Sequence, residues 1–148
     1  MVKTGNVGEW SEVYTLFKIL GDKKLYAGDQ SLQKIDGAIY PVIKVLRTEA
    51  NGNFEYVINK DLVFISSNGT TLLKLPVLEF LEKAHTTLSS ILENKSKKQA
   101  TFTIPEIEKF MDQIYCNSLK AQSSSKTDIT IVIHDEITNQ NQNAACIE

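Results

Sequence analysis

Ser125-Lys126-Thr127-Asp128-Ile129-Thr130-Ile131-Val132-Ile133-His134-Asp135 is a run of β-branched residues with a carboxylate near each end. Strict alternation places Ile129, Ile131 and Ile133 on one face and Asp128, Thr130, Val132 and His134 on the other. The pattern predicts a strand that delivers Asp128 to a site. An acid at the head of a buried strand needs a reason, because its desolvation is costly unless a cation or hydrogen bonds compensate.

Downstream, Asp135 to Asn143 reads as a polar loop, and Ala144 to Glu148 as the start of a return strand. Upstream, Ala121-Gln122-Ser123-Ser124-Ser125 connects into the strand. Its hydroxyls and the flanking lysines make Lys120, Ser124 and Lys126 candidate phosphate contacts, with an ordinary linker as the alternative. Before it, Thr103-Ile104-Pro105-Glu106 has the form of a capping box with proline in the first turn. Ile107, Phe110, Met111, Ile114 and Tyr115 follow at helical spacing, so Glu106, Glu108, Lys109, Asp112 and Gln113 are expected to face water.

A longer helix is expected from Pro76 to about Glu93. Val77, Leu81, Ala84, Leu88 and Ile91 form its stripe, and Leu78, Phe80 and Leu92 widen it. So broad an apolar face implies packing on more than one side. His85 lies beside that stripe as a boundary residue.

Between Lys24 and Ile65 the text breaks into short pieces rich in Val, Ile, Tyr and Phe. These are Lys24 to Ala27, Ile39 to Arg47, Phe54 to Ile58 and Leu62 to Ile65, with Ala50-Asn51-Gly52-Asn53 as a turn. At least one hairpin follows, either covering the core or presenting its lysines and Arg47 to a nucleic-acid groove. The first helix runs from about Glu9 to Leu20, with Gly21 placed to stop it. At 100° per residue, Glu9 falls inside its apolar face and Glu12 at the margin between Leu16 and Ile19. Glu9 therefore needs a cation, or else stays wet and complements the helix dipole. The fold class is α+β: a mixed sheet with hairpins, packed by about three helices. Residues 1–122 supply the first helix, the β section and the helical pair. Residues 123–148 start a catalytic strand hairpin in the same domain.

Composition agrees with one globular domain. The chain has 148 residues, 42% hydrophobic and 23% charged, enough to bury a core. No apolar run nears the roughly 18 residues of a spanning helix, and Glu9, Glu12 and Lys18 stand where a signal peptide is apolar. A soluble, cytoplasmic protein is expected. Cys116 and Cys146 lack metal spacing and read as plain thiols of a reducing compartment. The net charge of −2 is low for a DNA-binding protein, although lysines cluster at Lys23-Lys24, at Lys95 to Lys98 and from Lys120 to Lys126.

A strand-head carboxylate, a polar loop and a return strand form the layout of a magnesium nuclease of the PD-(D/E)xK group. Hard oxygen ligands there hold Mg²⁺ beside the scissile phosphate. A wider resemblance is carried by Gly5-Asn6-Val7-Gly8-Glu9-Trp10-Ser11-Glu12, Leu16-Phe17-Lys18, Lys24-Leu25-Tyr26-Ala27, Tyr40-Pro41-Val42-Ile43-Lys44, Lys126-Thr127-Asp128-Ile129 and Val132-Ile133-His134-Asp135. In this order they resemble the N-terminal part of HpaII-type restriction endonucleases. The resemblance implies an incomplete restriction-endonuclease-like core and Mg²⁺-dependent cleavage of duplex DNA by paired subunits at a palindrome such as CCGG. It implies that Asp128 binds metal, supported by Glu9 or Glu12.

The family's next block reads roughly Gly-Phe-Ser-Ile-Lys, with a catalytic lysine. Ala144-Ala145-Cys146-Ile147-Glu148 stands here, with an acid in place of that lysine. The resemblance thus implies a truncated nuclease that is inactive by itself. A non-catalytic DNA-binding or assembly domain is the other reading. In it Asp128 is a solvated strand-end acid and Glu9 a helix-end charge.

Overall fold

The computed structural model describes residues 3–28, 31, 33–49, 52–119, 129–135 and 140–146. In chain order the elements are α1 (Val7–Asp22), β1 (Lys24–Gly28), β2 (Lys34–Glu49), β3 (Gly52–Asn59), β4 (Leu62–Ser67), β5 (Thr70–Pro76), α2 (Val77–Ser96), α3 (Pro105–Gln113), β6 (Ile129–Asp135) and β7 (Gln140–Cys146). The class is α+β, with a seven-stranded sheet and three helices, consistent with a restriction-endonuclease-like core. The sheet runs β5-β4-β3-β2-β6-β7, and β1 pairs with β2. Every described pairing is antiparallel, so the sheet expected to be mixed is antiparallel, built of hairpins apart from the long-range pairing of β2 with β6. No helix among the described residues is long and apolar enough to cross a membrane.

Strand β2 is the spine. Its first half pairs with β1, and its second half lies between β3 and β6. A register shift between Val42 and Lys44 against β6 inserts an extra residue, which resets the alternation. Val42 and Val45 are therefore both buried, although three residues apart. Val45, Phe54, Tyr56, Val63, Ile65, Ile131 and Ile133 form the strand half of the core.

Helix α1 starts at Val7, two residues before the predicted boundary, with Asn6 as its N-cap. The Asn6 side chain accepts from Glu9 N and the Glu9 side chain accepts from Asn6 N. Gly21 does not stop the helix. A Cβ there would meet the Leu81 backbone at 2.9 Å, so the glycine lets α1 and α2 approach, and Lys23 in the left-handed conformation ends the helix. Between the helices, Phe17, Phe80 and Phe110 meet edge to face at centroid distances of 5.2 to 6.3 Å, the arrangement the ring quadrupoles favour.

Helix α3 begins one residue later than the sequence pattern predicts, with Ile104 at the N-cap and no side-chain cap. Its predicted water-facing Glu108 is buried, because the backbone N–H of Lys3 donates to its carboxylate. The Lys3 ammonium reaches Asp112 at 2.6 Å, and Gly5 pairs with Phe102. These contacts fasten the segment before α1 to the entrance and body of α3.

Candidate functional site

Strand β6 is hydrogen-bonded on both sides. Val132 lies opposite Lys44 of β2, and the hairpin to β7 runs from Ile129 opposite Cys146 to Asp135 opposite Gln140. The return strand thus begins four residues before the predicted Ala144. Its Gln140-Asn141-Gln142-Asn143 start lacks strand formers but borrows its ladder from β6. Ile131, Val132 and Ile133 are all buried, and His134 Nδ1 meets Asn141 Oδ1 at 3.0 Å across the hairpin. Asp128, the expected metal ligand, immediately precedes β6 and lies outside the described residues, as do Lys120, Ser124, Lys126 and Glu148.

The two candidate carboxylates of α1 have different surroundings. Glu9 is only partly buried, and its Oε1 accepts the Asn6 backbone N–H at 3.1 Å while Asn6 Oδ1 accepts the Glu9 N–H at 2.8 Å. It completes a capping box, so one orphan donor of the helix start is satisfied by each side chain. Glu12 is 8% exposed and sits among the helix's buried residues Trp10, Val13 and Leu16. The helical phase read from sequence is thereby inverted: Glu12 is the inward acid and Glu9 the marginal one. Trp10 sets this rotation. Its indole N–H donates to Phe102 O at 3.0 Å and its ring stacks on Phe102. Among the described residues, no group of three or more His, Cys, Asp or Glu converges to hold a metal.

A second polar cluster, which the sequence reading missed, lies at the end of β2. Arg47 and Glu49 project to the same face of the strand, and their side chains are 0% and 1% exposed. Arg47 Nε donates to Glu49 Oε1 at 3.1 Å, and its Nη2 donates to Ser118 O at 2.6 Å. Ser118 returns its hydroxyl to Glu49 Oε2 at 2.5 Å and its N–H to Oε1 at 3.4 Å. Nearby, Tyr56 donates to Ile114 O at 3.0 Å. Arg47 is thus interior and fastens the chain beyond α3, which removes it from a groove-reading ribbon.

Electrostatics in this corner follow from burial. Burial acts to lower the Arg47 pKa, but Cys116 and Glu49 outweigh it and hold the guanidinium above its ordinary value. Burial pushes the Cys116 thiol up to about 11, against the opposing pull of Arg47. Burial also holds the Tyr56 phenol well above its usual range, with Cys116 adding to the rise. All three groups keep their neutral-pH forms, so Cys116 is an unreactive interior thiol. A sequence signal for the cluster existed in the i, i+2 spacing of Arg47 and Glu49, which shares a strand face.

Comparison with known proteins returns one family. The family model described as HpaII restriction endonuclease matches residues 6–147. The type II restriction enzyme HpaII of Haemophilus parainfluenzae is 42% identical over 134 residues, covering 89% of this chain and 36% of that protein. The chain thus spans about a third of the length of the curated relative it matches. No solved structure matches.

Proposed function

The chain belongs to the HpaII restriction endonuclease family, and from that premise we propose that it is the N-terminal portion of a type II site-specific deoxyribonuclease that hydrolyses duplex DNA with Mg²⁺. The observation that carries this reading is the family likeness across α1, the sheet and the β6–β7 hairpin together. A palindromic target such as CCGG, contacts from Lys120, Ser124 and Lys126 to phosphates, and pairing of subunits belong to the same proposal.

The donor chemistry fits the metal. Asp128 at the head of β6 and Glu12 inside α1 both offer hard carboxylate oxygens, the ligands Mg²⁺ prefers. We assign the helix carboxylate to Glu12, because Glu9 already serves the helix cap with one of its oxygens and Glu12 is the enclosed acid. Bound Mg²⁺ supplies Lewis acidity to the phosphate and a lowered pKa to attacking water. In this reading Asp128 and Glu12 would supply the carboxylates that hold the ion, and the ladder from β2 through β6 to β7 fixes the strand that follows Asp128 in sequence. Glu148 stands where the family's water-orienting lysine is expected, so this chain alone leaves DNA uncut.

Calorimetric titration of Mg²⁺ or Mn²⁺ into the wild type, Asp128→Ala, Glu12→Gln and Glu9→Gln tests the assignment. Binding is expected to disappear in the first two variants and to persist in the third. Equal binding by wild type and Asp128→Ala would sink the metal site.

A further inference from the structure

Helix α2 runs out into a dense concentration of positive charge. From Asn94 to Pro105 the sequence has three lysines and no acid, in a chain whose net charge is −2, so the rest of the chain holds −5. Residues 95 to 101 are all exposed. Lys95 stands in the last turn of the helix, Lys97 at its C-cap, and Lys98 just beyond in the left-handed conformation, with φ 57°. The Lys98 N–H donates to Lys95 O at 3.1 Å and the Gln99 N–H to Asn94 O at 3.0 Å, the two bonds of a Schellman turn. The backbone is therefore fixed, and the lysines leave it from set positions. Lys97 Nζ meets Glu93 Oε1 at 3.0 Å on a wet surface. Lys95 and Lys98 have no acid partner among the described residues.

Helix-end electrostatics explain only part of this. The C-terminal end of a helix carries about half a negative charge, which Lys95 alone answers. A left-handed residue at the position of Lys98 is usually glycine, because a side chain there is strained. The turn also has a defined place in the fold. Phe102 exchanges backbone hydrogen bonds with Gly5 at 3.1 and 2.9 Å and accepts the Trp10 indole N–H, while Gly21 closely approaches Leu81. Helices α1 and α2 thus run antiparallel, with the end of α2 beside the start of α1. The Lys98 Cα lies four residues from that of Phe102, at most about 14 Å, or about four base-pair steps along a duplex strand.

We propose that the α2–α3 turn is a contact surface for the phosphate backbone of DNA, with Lys95 and Lys98 as its free cations and Lys97 added when phosphate displaces Glu93. The contact is separate from Lys120, Ser124 and Lys126, and it rests on the nuclease reading for the identity of the partner. Between Asn94 and Thr101 the one apolar residue is Ala100, so the turn has no anchor to bury in a protein partner or to insert into a bilayer. Ammonium groups on flexible stems act as point charges toward phosphate, and phosphate contacts position a duplex without reading its sequence.

Fluorescence anisotropy of the 148-residue chain on labelled duplexes with and without CCGG, in EDTA and across roughly 50 to 200 mM salt, tests the contact. Lys95→Gln with Lys98→Gln is expected to lower the slope of log affinity against log salt by about 1.8, at about 0.9 per phosphate contact, and equally on both duplexes. Glu93→Gln frees Lys97 and should tighten binding, raising the slope by up to about 0.9. Lys98→Gly should weaken binding while raising the urea midpoint of unfolding, because glycine adopts the left-handed conformation without strain. A lysine that served only the helix end would not separate those two readouts. A double variant with wild-type affinity and slope, on duplexes that the wild type binds, would overturn the contact and leave the nuclease reading standing. A loss confined to the CCGG duplex would overturn its backbone character. A wild type that binds neither duplex at the lowest salt would overturn it together with DNA as the partner of this chain.

Discussion

The end of β2 and the start of α1 each enclose a carboxylate, and the two sit in different surroundings. Glu49 is answered within its own neighbourhood: Arg47 two residues earlier on the same strand, and the hydroxyl and N–H of Ser118. Glu12 lies on α1 among Trp10, Val13 and Leu16 and is 8% exposed. A buried acid neutralised by a neighbouring arginine fastens chain to chain and has no capacity left for a ligand. That saturation takes Glu49 out of the metal proposal, and the proposed choice of Glu12 over Glu9 follows from the enclosure of Glu12 and the capping role of Glu9.

The largest expected effect lies in the Arg47 corner. Arg47→Ala strands the Glu49 carboxylate and the Ser118 carbonyl, and should cost about 3–5 kcal/mol in urea unfolding. Replacing both partners with apolar residues, as in Arg47→Met with Glu49→Leu, should recover most of that loss. A single-variant cost below about 1 kcal/mol, the range of exposed pairs, would break the comparison by making Glu49 as available as Glu12.

Alkaline pH probes the same corner without mutation. The Cys116 pKa is raised from 9.0 to about 11, so the unfolded thiol ionises before the folded one. The associated stability is fully present below pH 9 and is lost as pH rises toward 11, with a total on the order of 3 kcal/mol. Tyr56, raised for the same reason, adds to the loss at the upper end. Unfolding measured from pH 8 to pH 11 should therefore steepen in its decline for the wild type and flatten in Cys116→Ala.

Glu12→Gln should behave unlike any change at Glu49. Its principal effect is expected in the Mg²⁺ titration, with a stability change smaller than that of Glu49→Gln measured alongside it. A Glu12→Gln variant that unfolds as readily as Glu49→Gln, and still binds metal, would move Glu12 into the structural class.

Much of this architecture is legible in the residues, and the gaps have identifiable causes. The helices α1, α2 and α3 and the strand at Ile129 follow from periodicity, because burial on one side forces it, although in α2 Phe80 and Thr87 rather than Leu81 and Leu88 complete the buried stripe. Strand β5 escaped notice since Thr70-Thr71-Leu72-Leu73-Lys74-Leu75-Pro76 is an edge strand running without a loop into α2, with five of its seven residues exposed. The polar start of β7 was hidden for the same reason: its ladder partner, not its own composition, makes it a strand. The inversion of Glu9 and Glu12 is a matter of helix rotation, which Trp10 settles through Phe102, a residue 92 positions away. The Glu108 reading failed similarly, because the backbone of Lys3 arrives from the far end of the chain. Long-range polar partners leave no local periodicity to read.

The smallest expected effect separates the two acids of α1 most cleanly. Asn6→Ala removes the side chain that accepts the Glu9 N–H and should cost about 1 kcal/mol, the ordinary worth of a helix cap. Glu9→Gln keeps an oxygen able to accept from Asn6 N, so it should be nearly neutral in stability. Neither substitution touches Glu12, so both variants should titrate Mg²⁺ like the wild type. If Glu9→Gln instead loses metal binding while Asn6→Ala retains it, the capping glutamate rather than the enclosed one is the ligand, and burial is the wrong guide to the site.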